Sequence, residues 1–153
     1  MERKITEENT MLKFDDKELR FGGHRWKHIP IDSGDSIYLI SDDGQVFNMD
    51  SRKLLKPCKL YKQNRDYVKL KDGDGKRKNY YIHRLVAEAF IPNPYGLETV
   101  NHINEDVTDN RVENLEWMTR KDNLAYGTRA KRIGDKLRGI PKSYFKQLKE
   151  QKQ

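Results

Sequence analysis

Cysteine is almost missing from this chain, with Cys58 the single one among 153 residues. An internal disulfide and a zinc site built from cysteines are therefore both excluded, and the composition suits a reducing compartment. Long apolar runs are missing too. No stretch is long enough to span a bilayer, and the opening residues, which include Arg3, Lys4, Glu7 and Glu8, have no apolar segment of the signal-peptide kind. Hydrophobic residues make up 35% of the chain against 36% charged, and the mean hydropathy is −1.04. That leaves apolar material for one modest core with appendages, and predicts a soluble, intracellular protein with no membrane partner.

What the chain has in excess is positive charge, +7 overall, and it is unevenly placed. Counting Lys and Arg against Asp and Glu gives +8 for residues 51–78, −4 for 79–128 and +7 for 129–153. Two basic segments flank an acidic middle. Such separation suits phosphate-tracking arms on either side of a cation-binding centre, although the same residues would also suit a solvated surface with a charged tail.

Along the chain there is no internal repeat and no low-complexity linker. Residues 1–23 are a polar lead in which Met11, Leu12, Phe14 and Leu19 predict a short amphipathic helix, broken by Gly22 and Gly23. Residues 24–78 read as a small antiparallel β module. Ile37 to Ile40 and Gln45 to Phe47 predict two strands around Asp43-Gly44. Tyr67 to Leu70 and Asn79 to Ile82 predict a second hairpin around residues 72–75, with Lys69 and Lys71 on one face and Val68 and Leu70 on the other. Arg65, Lys76, Arg77 and Lys78 add to that cationic face, which fits a duplex backbone as well as it fits a merely soluble sheet. Ile82, Leu85, Val86, Ala89 and Phe90 have the spacing of a buried helical face stopped by Pro92 and Pro94. His83 and Arg84 open that helix. Arg84 could meet a phosphate; His83 reads better as a packing residue.

The stretch from Thr99 to Thr128 carries the chemistry. Thr99 to His102 predicts a short strand, the Asn- and Asp-rich span to Glu113 a loop, and Leu115 to Met118 a returning strand. Thr119 and Asp122 form a capping box that starts a helix through Leu124 and Ala125, with Gly127 just past its end. Asn101-His102, Asn114 and Asn123 in this order resemble the HNH homing endonucleases of phage and intron type. The strings His83-Arg-Leu-Val-Ala-x-Ala-Phe90 and Asn114-Leu-Glu-Trp-Met-Thr119 resemble the family as well. Upstream, Trp26-Lys-x-Ile-Pro, Tyr38-x-Ile-Ser and Gly44-Gln-Val resemble the DNA-binding module that precedes such catalytic domains.

The resemblance implies an α+β fold: an antiparallel sheet module, a core helix, a ββα-metal catalytic module over residues 79–128 and a basic helical tail over 129–153. It implies a metal-dependent DNA endonuclease, nicking or cutting both strands and leaving 5′-phosphate and 3′-hydroxyl ends. Asn101 and Asn123 would ligate Mg²⁺ or Mn²⁺, His102 would be the general base and Asn114 would brace the loop. Double-stranded DNA would be the partner, bound by a monomer in the cytoplasm of a bacterial or phage-infected cell. Its contacts would come from Arg65, Lys69, Lys71, Lys76, Arg77, Lys78 and Arg84, and from Arg129, Arg132, Lys136 and Arg138 in the tail. No small-molecule substrate is implied.

The chain departs from the commoner pattern twice. Asn101 stands where many relatives have a charged Asp, which predicts weak metal binding without DNA, and Glu105 stands where they often have Gly. The alternative reading is a DNA-binding protein that keeps the scaffold without catalysis.

Overall fold

In the computed structural model, residues 18–31, 37–128 and 131 are described. The chain divides into two compact units, residues 1–118 and 119–153, and each is treated by itself. In the first unit, β1 (Glu18–Phe21), β2 (His24–His28), β3 (Tyr38–Ser41), β4 (Val46–Asn48) and β5 (Lys53–Leu55) form an antiparallel meander in chain order. A second antiparallel sheet holds β6 (Cys58–Lys59), β7 (Asp66–Lys71) and β8 (Arg77–Tyr81). Helix α1 (Ile82–Phe90) follows, and then β9 (Thr99–His102) pairs with β10 (Leu115–Met118). The second unit begins with α2 (Arg120–Ala125). No helix among the described residues is long and apolar enough to cross a membrane.

The expected hairpins at 37–47 and 67–81 are present, and α1 stops before Pro92 as its spacing predicts. Leu19 is a correction. It lies in β1 opposite Trp26 rather than in a helix, and Gly22 and Gly23, with φ of 60° and 80°, turn the β1–β2 hairpin rather than stopping a helix. Positive φ at both positions is what a two-residue type I′ turn requires. Met11, Leu12 and Phe14 lie outside the described residues, as does the expected tail helix apart from Lys131.

The core is built where these elements meet. Ile40 and Val46 from the meander, Val68 and Leu70 from β7, Ile82, Leu85 and Val86 from α1, and Val100 and Leu115 from the β9–β10 pair are all buried in one cluster. The C-terminal end of α1 is closed by cations. Lys27 donates from Nζ to the Ala89 carbonyl at 3.1 Å, and Arg25 and Lys27 lie 5.3 and 5.2 Å from the Phe90 ring centre. Free carbonyls and the negative end of the helix dipole favour positive charge there.

One turn joins the meander to the loop that follows β9. The Asp42 carbonyl accepts from the Val112 amide at 2.8 Å. Gly44, at φ 92°, leaves no room for a side chain, since a Cβ there would lie 3.0 Å from Ile82 Cγ2 and 3.1 Å from Asn110 Cβ. Gly44→Ala combines a backbone conformation that L-residues rarely adopt with a clash against a packed core. It should cost about 2–3 kcal/mol, read as a fall in the urea or thermal midpoint of unfolding. An unchanged midpoint would show that this turn is not packed against the loop.

Candidate active site

The loop between β9 and β10 is rich in residues that bond their own backbone, and here they do. Asn114 is 7% exposed and makes three bonds of 2.9 Å: Oδ1 accepts from the Asn104 amide, and Nδ2 donates to Asn104 Oδ1 and to the Asp109 carbonyl. Asp106 accepts from the amide and hydroxyl of Thr108 at 2.9 and 2.7 Å. Asp109 takes a bidentate contact from Arg111 at 2.9 and 2.8 Å and a bond from Asn104 at 2.9 Å. Arg111 holds the Asp109 carboxyl down at about 2. Both carboxylates are thus engaged in shaping the loop. Glu105 has a φ of 62°, so the glycine-like conformation of the turn persists with a glutamate in it.

This loop sets His102 at the end of β9. The ring is buried, with 4% of the residue exposed, and Nε2 lies 3.1 Å from Asn110 Oδ1. An amide oxygen only accepts, so Nε2 carries the proton and Nδ1 keeps its lone pair. The Asn110 amide nitrogen faces the Thr108 carbonyl at 3.5 Å, consistent with that orientation. His83, from the first turn of α1, packs its ring 5.3 Å from that of His102, and its Nε2 accepts from Arg65 at 3.0 Å. Burial, followed by the charge of Arg65, pushes His83 down to about 3. Burial also lowers His102, aided by Arg65 and opposed by the Asn110 hydrogen bond and by Asp106 and Asp109. Near neutral pH the site therefore holds two neutral imidazoles, with the Arg65 guanidinium bonded to one of them.

Asn101, one residue before His102, is 6% exposed and stands opposite Glu116 in the β9–β10 register. Its Nδ2 donates to Glu116 Oε1 at 2.8 Å. That bond fixes the amide so that Oδ1 faces away from Glu116. Amide oxygens are hard donors suited to Mg²⁺ or Mn²⁺, so Asn101 fits the ligand role expected of it. Asn123 lies on α2 in the second unit, half-buried, and its backbone N–H donates to the Thr119 carbonyl at 3.0 Å. The Thr119 hydroxyl accepts from the Asp122 amide at 3.1 Å, forming the expected cap. His24, Asp42 and Asp43 also bring ligand atoms within 4.8 Å of one another, but Arg25, Ser41 and Gln45 already bond those carboxylates.

The expected cationic residues divide by what they touch. Lys69, Lys71 and Arg77 are exposed on the outer face of β7–β8, where Lys71 pairs with Arg77 and Tyr67 with Tyr81. The Tyr81 ring is 5.7 Å from His83, so this face leads to the histidines. Lys76 is exposed in the turn. Lys78 faces the other way and holds the buried Asp72 carboxylate at 2.9 Å. Arg84 bonds Glu88 and the Glu98 carbonyl, both at 2.9 Å, and lies 5.6 Å from the Trp117 ring centre. Arg129, Arg132, Lys136 and Arg138 lie outside the described residues. Three residues escaped the sequence reading in these roles: Asn110, Glu116 and, as a neighbour of His102, His83. Asn110 is one of several loop asparagines, and Glu116 is identified only by cross-strand register.

The chain is similar to known proteins. A family model described as HNH endonuclease matches residues 80–125. The chain is 43% identical over 103 residues to the uncharacterized HNH endonuclease L247 of Acanthamoeba polyphaga mimivirus, covering 66% of this chain and 25% of that protein. It is 33% identical over 99 residues to the DNA endonuclease I-HmuI of Bacillus phage SP01, covering 65% of this chain and 55% of that one. The solved structure of I-HmuI, an HNH homing endonuclease studied for DNA binding and cleavage, superposes with a TM-score of 0.57 and 30% identity, over 72% of this chain and 66% of that one. The chain thus spans from a quarter to just over half the length of these curated relatives.

Two outcomes follow from the site. A histidine with a lowered pKa in the fold stays neutral while the unfolded chain takes up a proton. Its stability contribution is therefore complete above about pH 6.5 and falls by up to about 1.4 kcal/mol per pH unit below it. For His83 this loss continues down to about 3. Urea unfolding at pH 5 and pH 7.5 should show a drop of about 2 kcal/mol that His83→Asn reduces; an equal drop in both proteins would place the acid sensitivity elsewhere. Glu105→Gly should raise stability by about 0.5–1 kcal/mol in the same assay, and a loss would mean that the glutamate side chain outweighs its backbone strain.

Proposed function

We propose, from the premise that this chain belongs to the HNH endonuclease family, that it is a divalent-metal-dependent endonuclease of the homing type acting on double-stranded DNA, with His102 as its general base. The observation that carries this reading is the state of His102. It is a buried, neutral imidazole whose Nε2 faces the Asn110 side-chain oxygen, an arrangement that would leave Nδ1 as the base, and it directly follows Asn101 in β9.

In this reading, water gives its proton to His102 Nδ1 as its oxygen attacks the scissile phosphorus, and the ring becomes cationic. Three features of the chain favour that cation: the Asn110 oxygen on Nε2 and the carboxylates of Asp106 and Asp109. Arg65 opposes it, and it is also the guanidinium nearest the histidines on which a phosphate could dock, so an arriving anion would offset its effect. His83 contributes shape without charge, because burial keeps it neutral. Asn101 Oδ1 would hold Mg²⁺ or Mn²⁺, with Asn123 as the second amide ligand by analogy with the family. The ion would supply Lewis-acid charge to the phosphate and the 3′ leaving oxygen. Asn114 serves by keeping the loop closed around Asn104 and Asp109.

Lys69, Lys71 and Arg77 are proposed to track the duplex backbone along a face roughly 13 Å long, four residues at strand rise, that ends at Tyr81 beside His83. Lys76 and the tail residues Arg129, Arg132, Lys136 and Arg138 would extend the contact. Lys78 and Arg84 are bonded within the fold and add mainly to the positive field.

Supercoiled plasmid and phage DNA, incubated with Mg²⁺ or Mn²⁺, test this. The wild type should yield open-circular or linear product, and His102→Ala should be slower by about 10²–10⁴-fold with DNA binding retained. The wild-type kcat/KM should rise with pH through a midpoint below the ordinary 6.5 and then level off. Equal cleavage by His102→Ala contradicts the role of His102. Binding without cleavage by the wild type on every DNA favours the non-catalytic reading.

A further inference from the structure

Neutral amide ligands leave a divalent ion without formal charge compensation from the protein. The structure sets a carboxylate directly behind one of them. Glu116 faces Asn101 across the β9–β10 pair, is itself half-buried, and accepts from Asn101 Nδ2 at 2.8 Å. Asp106 and Asp109, the other nearby carboxylates, are taken up by Thr108 and Arg111. The Glu116 bond does two things to Asn101. It selects the amide orientation with Oδ1 turned away, and it draws electron density through the conjugated amide onto that oxygen, strengthening it as a donor.

Resting on the proposed metal role of Asn101, we propose that Glu116 is the positioning residue of the metal centre. It aims the Asn101 oxygen and provides the protein's negative charge at the site, so donor and charge are divided between facing strands. Such a division has a consequence that a simple strand-pairing contact lacks: the charge can be moved across the ladder. Asn101→Asp by itself would set two carboxylates against each other at hydrogen-bond distance. Asn101→Asp combined with Glu116→Gln restores one charge, one oxygen donor and one complementary bond.

The test is Mn²⁺ binding to the full chain without DNA, followed by the electron paramagnetic resonance signal of the free ion. Asn101→Ala defines the component that belongs to this site. Glu116→Gln, which keeps an oxygen acceptor, should weaken that component about tenfold. The double variant Asn101→Asp/Glu116→Gln should bring it back to within about threefold of wild type. Should Glu116→Gln fail to fold, the double variant and Glu116→Asp, which keeps the charge, decide by whether they retain binding. If Asn101→Ala abolishes the component while Glu116→Gln stays within about twofold of wild type, Glu116 merely pairs strands and the proposal is overturned. If Asn101→Ala binds Mn²⁺ as the wild type does, the metal assignment itself fails, a result distinct from the former.

Discussion

The histidine proposed as general base is buried, and burial favours the neutral form of the ring. The rest of the site is arranged around this constraint. His102 is 4% exposed, so its orientation is set by the protein rather than by solvent, and one hydrogen bond to Asn110 sets it. Asn110 is itself held from outside the loop, because Gly44 packs beneath it and the neighbouring Val112 amide reaches the Asp42 carbonyl. The turn between β3 and β4 therefore supports the candidate site mechanically, by packing against Asn110 and bonding Val112. Asn114 closes the same loop from its other end, bonding Asn104 and Asp109.

Charge in the site follows from the same burial. Arg65 bonds a neutral partner in His83. A guanidinium bonded to an imidazole keeps its full positive charge, which suits an anion-binding centre. An aspartate in the place of His83 would neutralise it and repel phosphate. The carboxylates that do occur nearby are either consumed in shaping the loop or, in Glu116, set behind Asn101. The acidic middle seen in the sequence is thus largely a set of structural bonds.

The strand, loop, strand and helix between Thr99 and Ala125 were legible because each rests on local chemistry. Asn and Asp side chains compete for backbone groups in the loop, a Thr-x-x-Asp cap starts α2, and Val100 and Leu115 anchor the two strands. The spacing of α1 was legible for the same reason, as was the cationic face of β7. What could not be read was register and distance. Glu18 to Phe21 is too polar to announce a strand, and it becomes one by pairing with β2 through a glycine turn. β5 and β6 are three and two residues long and largely exposed, and they exist because a neighbour offers hydrogen bonds. His83 read as a packing residue, which it is; that it packs on His102 depends on how α1 meets the β9–β10 pair. Asn110 and Glu116 owe their roles to contacts across eight and fifteen residues, beyond any local pattern.

The central claim is that the fold holds His102 neutral with its proton on Nε2, leaving Nδ1 to act as base. Two-bond proton–nitrogen correlation spectra of the chain labelled with ¹⁵N-histidine read this directly at pH 7. The account predicts a His102 pattern with a protonated Nε2 and an unprotonated Nδ1. A cationic ring, or a neutral ring with the proton on Nδ1, would contradict it.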